Sequence, residues 1–161
     1  TLAERIANGA ASLQALGLEG PSEATAARVS PAFAAATSAL LLVHARDEMD
    51  IGRFTRARAS IAKHLAASPG SAAGYVALGD YNRRVGDGDD AIDAARRAFE
   101  HAVGLDPNLP TAQRELGLLY RAQGRSVEAK TALARYLALT PDAIDRPIIE
   151  AYIAESTASA P

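Results

Sequence analysis

The apolar residues of this chain recur every three or four positions within successive stretches, and no stretch alternates apolar and polar residues as a half-buried strand does. The pattern therefore predicts an all-α fold. The helices are expected at about 2–17, 31–50, 53–67, 71–85, 90–105, 110–123, 126–139 and 146–156. Ser30-Pro31 is expected to start the second of these, and Ser71, Asp90 and Ser126 are expected N-caps, because a side-chain oxygen can accept from a free backbone N–H there.

Glycines and prolines separate these stretches at nearly constant intervals. The markers are Gly52, Gly86, Gly124, Pro69, Pro107 and Pro141. The intervals are 34 and 38 residues for the glycines, and 38 and 34 residues for the prolines. A period in this range is typical of stacked helical repeats, because one two-helix unit cannot bury its apolar face alone.

The residues between the markers share a motif. The third unit contains Leu116-Gly117, Tyr120, Ala129, Leu133, Tyr136 and Pro141. The second contains Tyr75, Leu78-Gly79, Ala95, Phe99, Ala102 and Pro107, with four extra residues in its turn. The first is degenerate, with His44-Ala45 in place of Leu-Gly. These sets resemble the tetratricopeptide repeat (TPR), whose pattern is W-x2-L-G-x2-Y, then A-x3-F, then P.

The resemblance implies an all-α, TPR-type α-solenoid, in which antiparallel helix pairs form a right-handed superhelix. We expect an N-terminal helical extension over 1–37, with the remnant of another repeat as the alternative for this segment. Repeats are expected over 38–71, 72–109 and 110–143, and a C-terminal capping helix and tail over 144–161. Gly79 and Gly117 are expected where two helices cross most closely, since a glycine leaves out the side chain that would hold the helices apart.

Composition narrows the possible partners. The formal net charge is −2, which gives no general attraction to nucleic acid, and there is no cysteine for disulfides or thiol chemistry. No apolar stretch approaches the roughly 18 residues of a transmembrane helix. The chain opens at Thr1, and its single methionine is Met49. We interpret it as a trimmed product, so the sequence leaves the compartment open between the bacterial periplasm or envelope and the cytoplasm.

Candidate chemistry is sparse. His44, His64 and His101 fall in three different helices, without a metal-ligand spacing. The stretch Asp87-Gly88-Asp89-Asp90 lacks the glycine and glutamate that complete an EF-hand. No nucleophile motif and no phosphate-binding glycine loop is present. We therefore predict no metal, no cofactor and no catalytic residue in this chain.

A groove for a partner is what the resemblance implies, lined by fixed positions on the first helix of each repeat. Those positions carry five arginines and two aspartates, Asp50 among them, which suggests an acidic, partly apolar protein or peptide partner. The alternative is that the arginines are simply solvated or pair with Asp50, Asp80 and Glu115. The predicted groove residues are Leu42, Arg46, Met49, Val76, Asp80, Arg83, Arg84, Arg114, Leu118 and Arg121.

Two functions from different classes follow. The first is a non-catalytic adaptor or scaffold, for example an assembly protein of the bacterial cell envelope. The second is the TPR accessory segment of a larger enzyme, such as a bacterial periplasmic metalloprotease or a glycosyltransferase. Self-association to a homodimer, through the apolar stripe of the last helix or through residues 1–37, is a third possibility.

Overall fold

The computed structural model describes residues 23–158, and it describes the side chains of residues 35–155. Within this range the chain forms seven α-helices and no strand. They are α1 (Glu23–Asp50), α2 (Phe54–Ala67), α3 (Ala72–Val85), α4 (Asp89–Leu105), α5 (Pro110–Ala122), α6 (Ser126–Leu139) and α7 (Arg146–Ala158). The all-α fold class is confirmed, while the predicted helix over 2–17 lies outside the described residues.

The start of α1 corrects one prediction. The helix begins at Glu23, so Pro31 lies in its interior and does not start it. Proline has no N–H for the carbonyl four residues earlier, but the alanine-rich sequence around it has high helix propensity, and the helix continues through this position.

The chain divides into two compact units, residues 1–40 and residues 41–161. The described part of the first unit belongs to α1. The second unit contains the C-terminal end of α1 and the helices from α2 to α7.

Consecutive helices of the second unit pack against one another. Contacts join α2 to α3, α3 to α4, α4 to α5, α5 to α6, and α6 to α7. The connectors are only a few residues long, which makes neighbouring helices antiparallel. Each helix therefore contacts mainly its neighbours in sequence, as in a solenoid.

The predicted close crossings are confirmed at both glycines. A Cβ atom at Gly79 would lie 2.7 Å from the Phe99 ring, and one at Gly117 would lie 2.7 Å from Cγ of Leu133. Phe99 and Leu133 are fully buried. The absence of a side chain at each glycine is thus what allows the large residue of the next helix to fill the interface.

Two clusters of buried hydrophobic residues lie within the described core. The first comprises Ala95, Phe99, Leu116 and Leu119, from α4 and α5. The second comprises Leu133, Tyr136, Leu137 and Ile149, with Leu118, Tyr152 and Ile153 packed against it. Because Ile149 is buried in the second cluster and Tyr152 and Ile153 pack against it, α7 is folded back onto α6.

The connectors follow the predicted markers in part. Gly52 and Gly124 adopt φ angles of 75° and 71°, which favour glycine. In the connector between α3 and α4, the glycine with positive φ is Gly88, at 94°, and not the predicted marker Gly86. The four extra residues of this connector displace the turn.

The predicted caps hold at one position of three. The Ser71 side chain accepts a hydrogen bond from the Gly74 N–H and caps α3. Asp90 lies in the first turn of α4, after the cap Gly88. Ser126 is the first residue of α6, after the cap Arg125.

Candidate functional site

The predicted groove residues lie on α1, α3 and α5, the first helices of the three predicted units. Leu42, Val76 and Leu118 are half-buried, so each presents part of an apolar side chain at the surface. Arg46 is exposed and makes no ion pair with any residue that the structure describes. Met49 is only 4% exposed, which makes it a core residue that a partner does not reach.

Carboxylates bridge the arginines of α3 to the neighbouring first helices. An Arg84 guanidinium nitrogen lies 2.6 Å from an Asp50 oxygen on α1, and another lies 3.1 Å from Asp80. Arg83 donates to Asp80 at 2.8 Å and lies 3.9 Å from Glu115 on α5. The hydrogen bond to Asp50 is the main cause that raises the pKa of Arg84. The pairing that the sequence left as an alternative is therefore present at both arginines.

Arg114 anchors the connector before α7. It donates to Asp145 at 2.7 Å and to Glu115 at 2.7 Å, and the Tyr136 hydroxyl donates to the other Asp145 oxygen at 2.7 Å. Burial tends to raise the pKa of Asp145, but the hydrogen bonds from Tyr136 and Arg114 outweigh it and hold the pKa below its ordinary value. This cluster fixes α7 to the array.

Arg121 contacts α7 directly. One of its nitrogens donates to Glu155 at 2.8 Å, and its guanidinium carbon lies 3.8 Å from the centre of the Tyr152 ring. A guanidinium over an aromatic face is attracted by the ring electrons. The hydrogen bond to Glu155 is the main cause that raises the pKa of Arg121.

The register of the repeats explains why α7 joins this surface. Tyr152 and Glu155 follow Leu118 and Arg121 by 34 residues, the shorter repeat interval. The helix that we predicted as a cap therefore extends the row of first helices by one more member. The same surface contains residues that sequence reasoning left out of the groove, namely Glu115, Asp145, Tyr152 and Glu155. The 34-residue interval was the signal that could have found Tyr152 and Glu155.

We name this surface the arginine face. Its residues are Leu42, Arg46, Asp50, Val76, Asp80, Arg83, Arg84, Arg114, Glu115, Leu118, Arg121, Asp145, Tyr152 and Glu155. It carries five arginines and five carboxylates, so the surplus of arginines expected from the sequence is balanced by carboxylates of α5, α7 and the connector before α7.

The histidines serve packing and surface contacts. His64 is buried, and its Nε2 lies 2.7 Å from the Ser71 hydroxyl. His44 is exposed, with Nε2 3.5 Å from Glu48, and the rings of His101 and Tyr75 are in edge-type contact, with centroids 4.1 Å apart. Among the described residues, no three potential ligands come close enough to hold a metal ion. None of the helices in the described range has the length and apolarity needed to cross a membrane.

A comparison with protein-family models matches residues 70–142 to the tetratricopeptide repeat. Residues 70–142 therefore carry TPR repeats. The match covers nearly all of the second and third predicted units and includes only the last two residues of the degenerate first unit.

Solved TPR structures share this fold. The chain is similar to the first TPR domain of Spaghetti (RPAP3) bound to an HSP90 peptide, with a TM-score of 0.65, 20% identity and coverage of 76% of this chain and 94% of that one. It is also similar to the Yersinia enterocolitica type III secretion chaperone SycD in complex with a peptide of the translocator YopD. There the TM-score is 0.63 and the identity 13%, with coverage of 76% and 93%.

A third similar structure is an enzyme, the Thermobaculum terrenum O-GlcNAc transferase, with a TM-score of 0.63 and 24% identity. The match covers 76% of this chain and 22% of that chain. A search of curated protein sequences found no match to the chain. The structural matches confirm the TPR solenoid fold.

Proposed function

We propose that this chain is a non-catalytic interaction module whose arginine face binds a peptide segment of a partner protein. The observation that carries the proposal is the row of hydrogen-bonding and half-buried apolar side chains along consecutive first helices. Such a row suits a ligand that presents polar and apolar groups in turn. Two structural neighbours, the RPAP3 domain and SycD, are bound to peptides, which supports the same use of the fold here.

The peptide is acidic in this proposal, and its carboxylates bind by exchange. Asp50 and Glu155 are 56% and 61% exposed, so the ion pairs that they make with Arg84 and Arg121 are surface pairs. Surface pairs add little to stability because water competes for both charges. A ligand carboxylate can therefore replace either one at small cost. Arg46 offers a further guanidinium with no ion pair to the described residues.

The cellular role is a second step of the proposal. We place the chain among assembly or scaffold proteins of the bacterial cell envelope, supported by its likeness to a bacterial secretion chaperone. The other candidate is a TPR segment of a larger enzyme. The O-GlcNAc transferase match favours it, because there a TPR fold of this size occupies about a fifth of an enzyme chain, 22%.

The test starts from peptides selected by phage display against the chain. Their affinities are measured by fluorescence anisotropy for the parent and for Arg84→Gln/Arg121→Gln. The control is Arg58→Gln/Arg97→Gln, which removes two exposed arginines from the second helices α2 and α4. Circular dichroism establishes that all three proteins are equally folded, and light scattering measures whether they form homodimers.

We expect the arginine-face variant to lose affinity for acidic peptides at least tenfold, and the control to stay within twofold of the parent. Amide resonances of α3 and α5 should shift on titration. Equal losses in both variants, or shifts confined to α2 and α4, would refute the proposed site. If the chain forms a dimer that buries the arginine face, the ligand of this face would be a second copy of the chain and not a peptide.

A further inference from the structure

The contact between α5 and α7 has the features of a distinct subsite. We name its residues, Leu118, Arg121, Ile148, Tyr152 and Glu155, the α5–α7 subsite. We infer that it binds an acidic side chain next to a large apolar one on the peptide, and that Glu155 is a built-in competitor for the acidic position. This inference rests on the proposed function and specifies one part of its site.

Glu155 shows that Arg121 binds a carboxylate. Its carboxylate lies 2.8 Å from one guanidinium nitrogen, and the hydrogen bond uses that nitrogen alone. An arginine can hold a carboxylate with two parallel N–H bonds, and that arrangement is stronger than a single bond. The ion pair with Glu155 is therefore weaker than the bidentate pair that Arg121 can form. A peptide carboxylate in bidentate geometry would displace Glu155.

Tyr152 holds the guanidinium in position for such a ligand. The Arg121 guanidinium carbon lies over the ring, 3.8 Å from its centre, so the ring holds the guanidinium in place. The N–H groups lie in the guanidinium plane, and stacking does not occupy them. A preordered arginine loses less conformational freedom on binding, which favours affinity.

The apolar part of the subsite lies one helical turn away. Ile148 precedes Tyr152 by four residues, which puts both side chains on one side of α7. Ile148 is 54% exposed, whereas Leu118 and Tyr152 pack on the same buried cluster. A large apolar ligand side chain beside the acidic one would cover the exposed part of Ile148.

The exchange does not require α7 to leave the array. Ile149 is 1% exposed within the second cluster, so undocking the helix would cost a buried side chain. Glu155 is exposed, and a change of its side-chain rotamer is enough to vacate Arg121. Competition is therefore local to one side chain, and its removal should not change the fold.

The test uses three synthetic hexapeptides as probes: Gly-Ser-Glu-Leu-Ser-Gly, the same peptide with Gln for Glu, and the same peptide with Ala for Leu. Dissociation constants are measured by NMR titration into the intact chain. The variants are Glu155→Gln, Arg121→Gln and Ile148→Ser. The control is Glu150→Gln, which removes another exposed carboxylate of α7, one paired with Arg146 at 2.9 Å.

For Glu155→Gln we expect affinity for the Glu-Leu peptide to rise about two- to fivefold, because a surface ion pair of this kind is weak. The affinity of Glu155→Gln for the Gln-Leu peptide should differ from that of the parent by less than about 1.5-fold. The affinity of the control Glu150→Gln for the Glu-Leu peptide should likewise differ by less than about 1.5-fold. Arg121→Gln should abolish the preference for Glu over Gln. Ile148→Ser should abolish the preference for Leu over Ala.

An equal gain from Glu150→Gln would overturn the inference, since general charge would then explain the effect. An unchanged or weaker affinity in Glu155→Gln would overturn it too. If the probes shift resonances of α3 and α5 while Glu155→Gln has no effect, the competitor role fails and the proposed function stands. If the probes shift no resonance of the arginine face and the phage-selected peptides bind elsewhere, both fail.

Discussion

Replacing Gly117 by alanine tests whether the helix crossing between α5 and α6 limits stability. The new Cβ would lie 2.7 Å from Cγ and Cδ2 of Leu133 and 3.2 Å from its backbone nitrogen. Leu133 is fully buried, so neither its side chain nor its backbone has space to retreat. The helices must separate to relieve the contact.

The magnitude follows from two opposing effects. Overpacking of a tight core costs about 1–3 kcal/mol. Alanine in place of glycine in a helix returns up to about 1 kcal/mol. We expect Gly117→Ala to lower the free energy of unfolding by about 1–2 kcal/mol.

Gly104 provides the matched control, because it lies in helix α4 and a Cβ there would meet no atom within 4 Å. Gly104→Ala should raise the free energy of unfolding by about 0.4–1 kcal/mol. Urea unfolding followed by circular dichroism at a helical wavelength measures both variants against the parent. If Gly117→Ala is as stable as Gly104→Ala, the crossing is looser than the structure indicates and the reasoning is wrong.

Three further predictions concern the core, the α7 anchor and a helix cap. Phe99→Ala should lower the free energy of unfolding by about 3–5 kcal/mol in the same urea assay, because the ring is fully buried beside Gly79; a loss below about 1 kcal/mol would contradict this. Asp145→Asn should cost about 1–2 kcal/mol at neutral pH, since it weakens the hydrogen bonds from Arg114 and Tyr136. The folded-state pKa of Asp145 is lowered, so its stabilising effect is complete above its unfolded pKa of about 3.9 and is lost as the pH falls through the folded pKa. Thermal melts of parent and variant should therefore converge in acid, and a constant difference would disprove the linkage. Ser71→Ala should cost about 1–2 kcal/mol, because it removes both the α3 cap and the hydroxyl that lies 2.7 Å from Nε2 of the buried His64, with Ser71→Thr as the rescuing control in urea unfolding.

The arginine face shows how far sequence reasoning reaches into the site. Arg83, Arg84, Arg114 and Arg121 were identified from their repeat positions, since the motif fixes which residues lie on the first helices. Met49 occupied an equivalent position but is buried, because position in a repeat does not specify how the first unit packs. The acidic character predicted for the partner stays a prediction, since it depended on an arginine surplus that neighbouring carboxylates balance.

The sequence by itself determined the repeat, the helix order and the close crossings at Gly79 and Gly117, because spacing and side-chain size are local properties. Only the tertiary structure decided the charge of the arginine face. Arg114 meets Asp145 and Arg121 meets Glu155 at separations of 31 and 34 residues, where stacking of successive units brings the side chains together. Whether an arginine is available to a partner depends on such neighbours, and a linear pattern shows which side chains are present but not which of them meet.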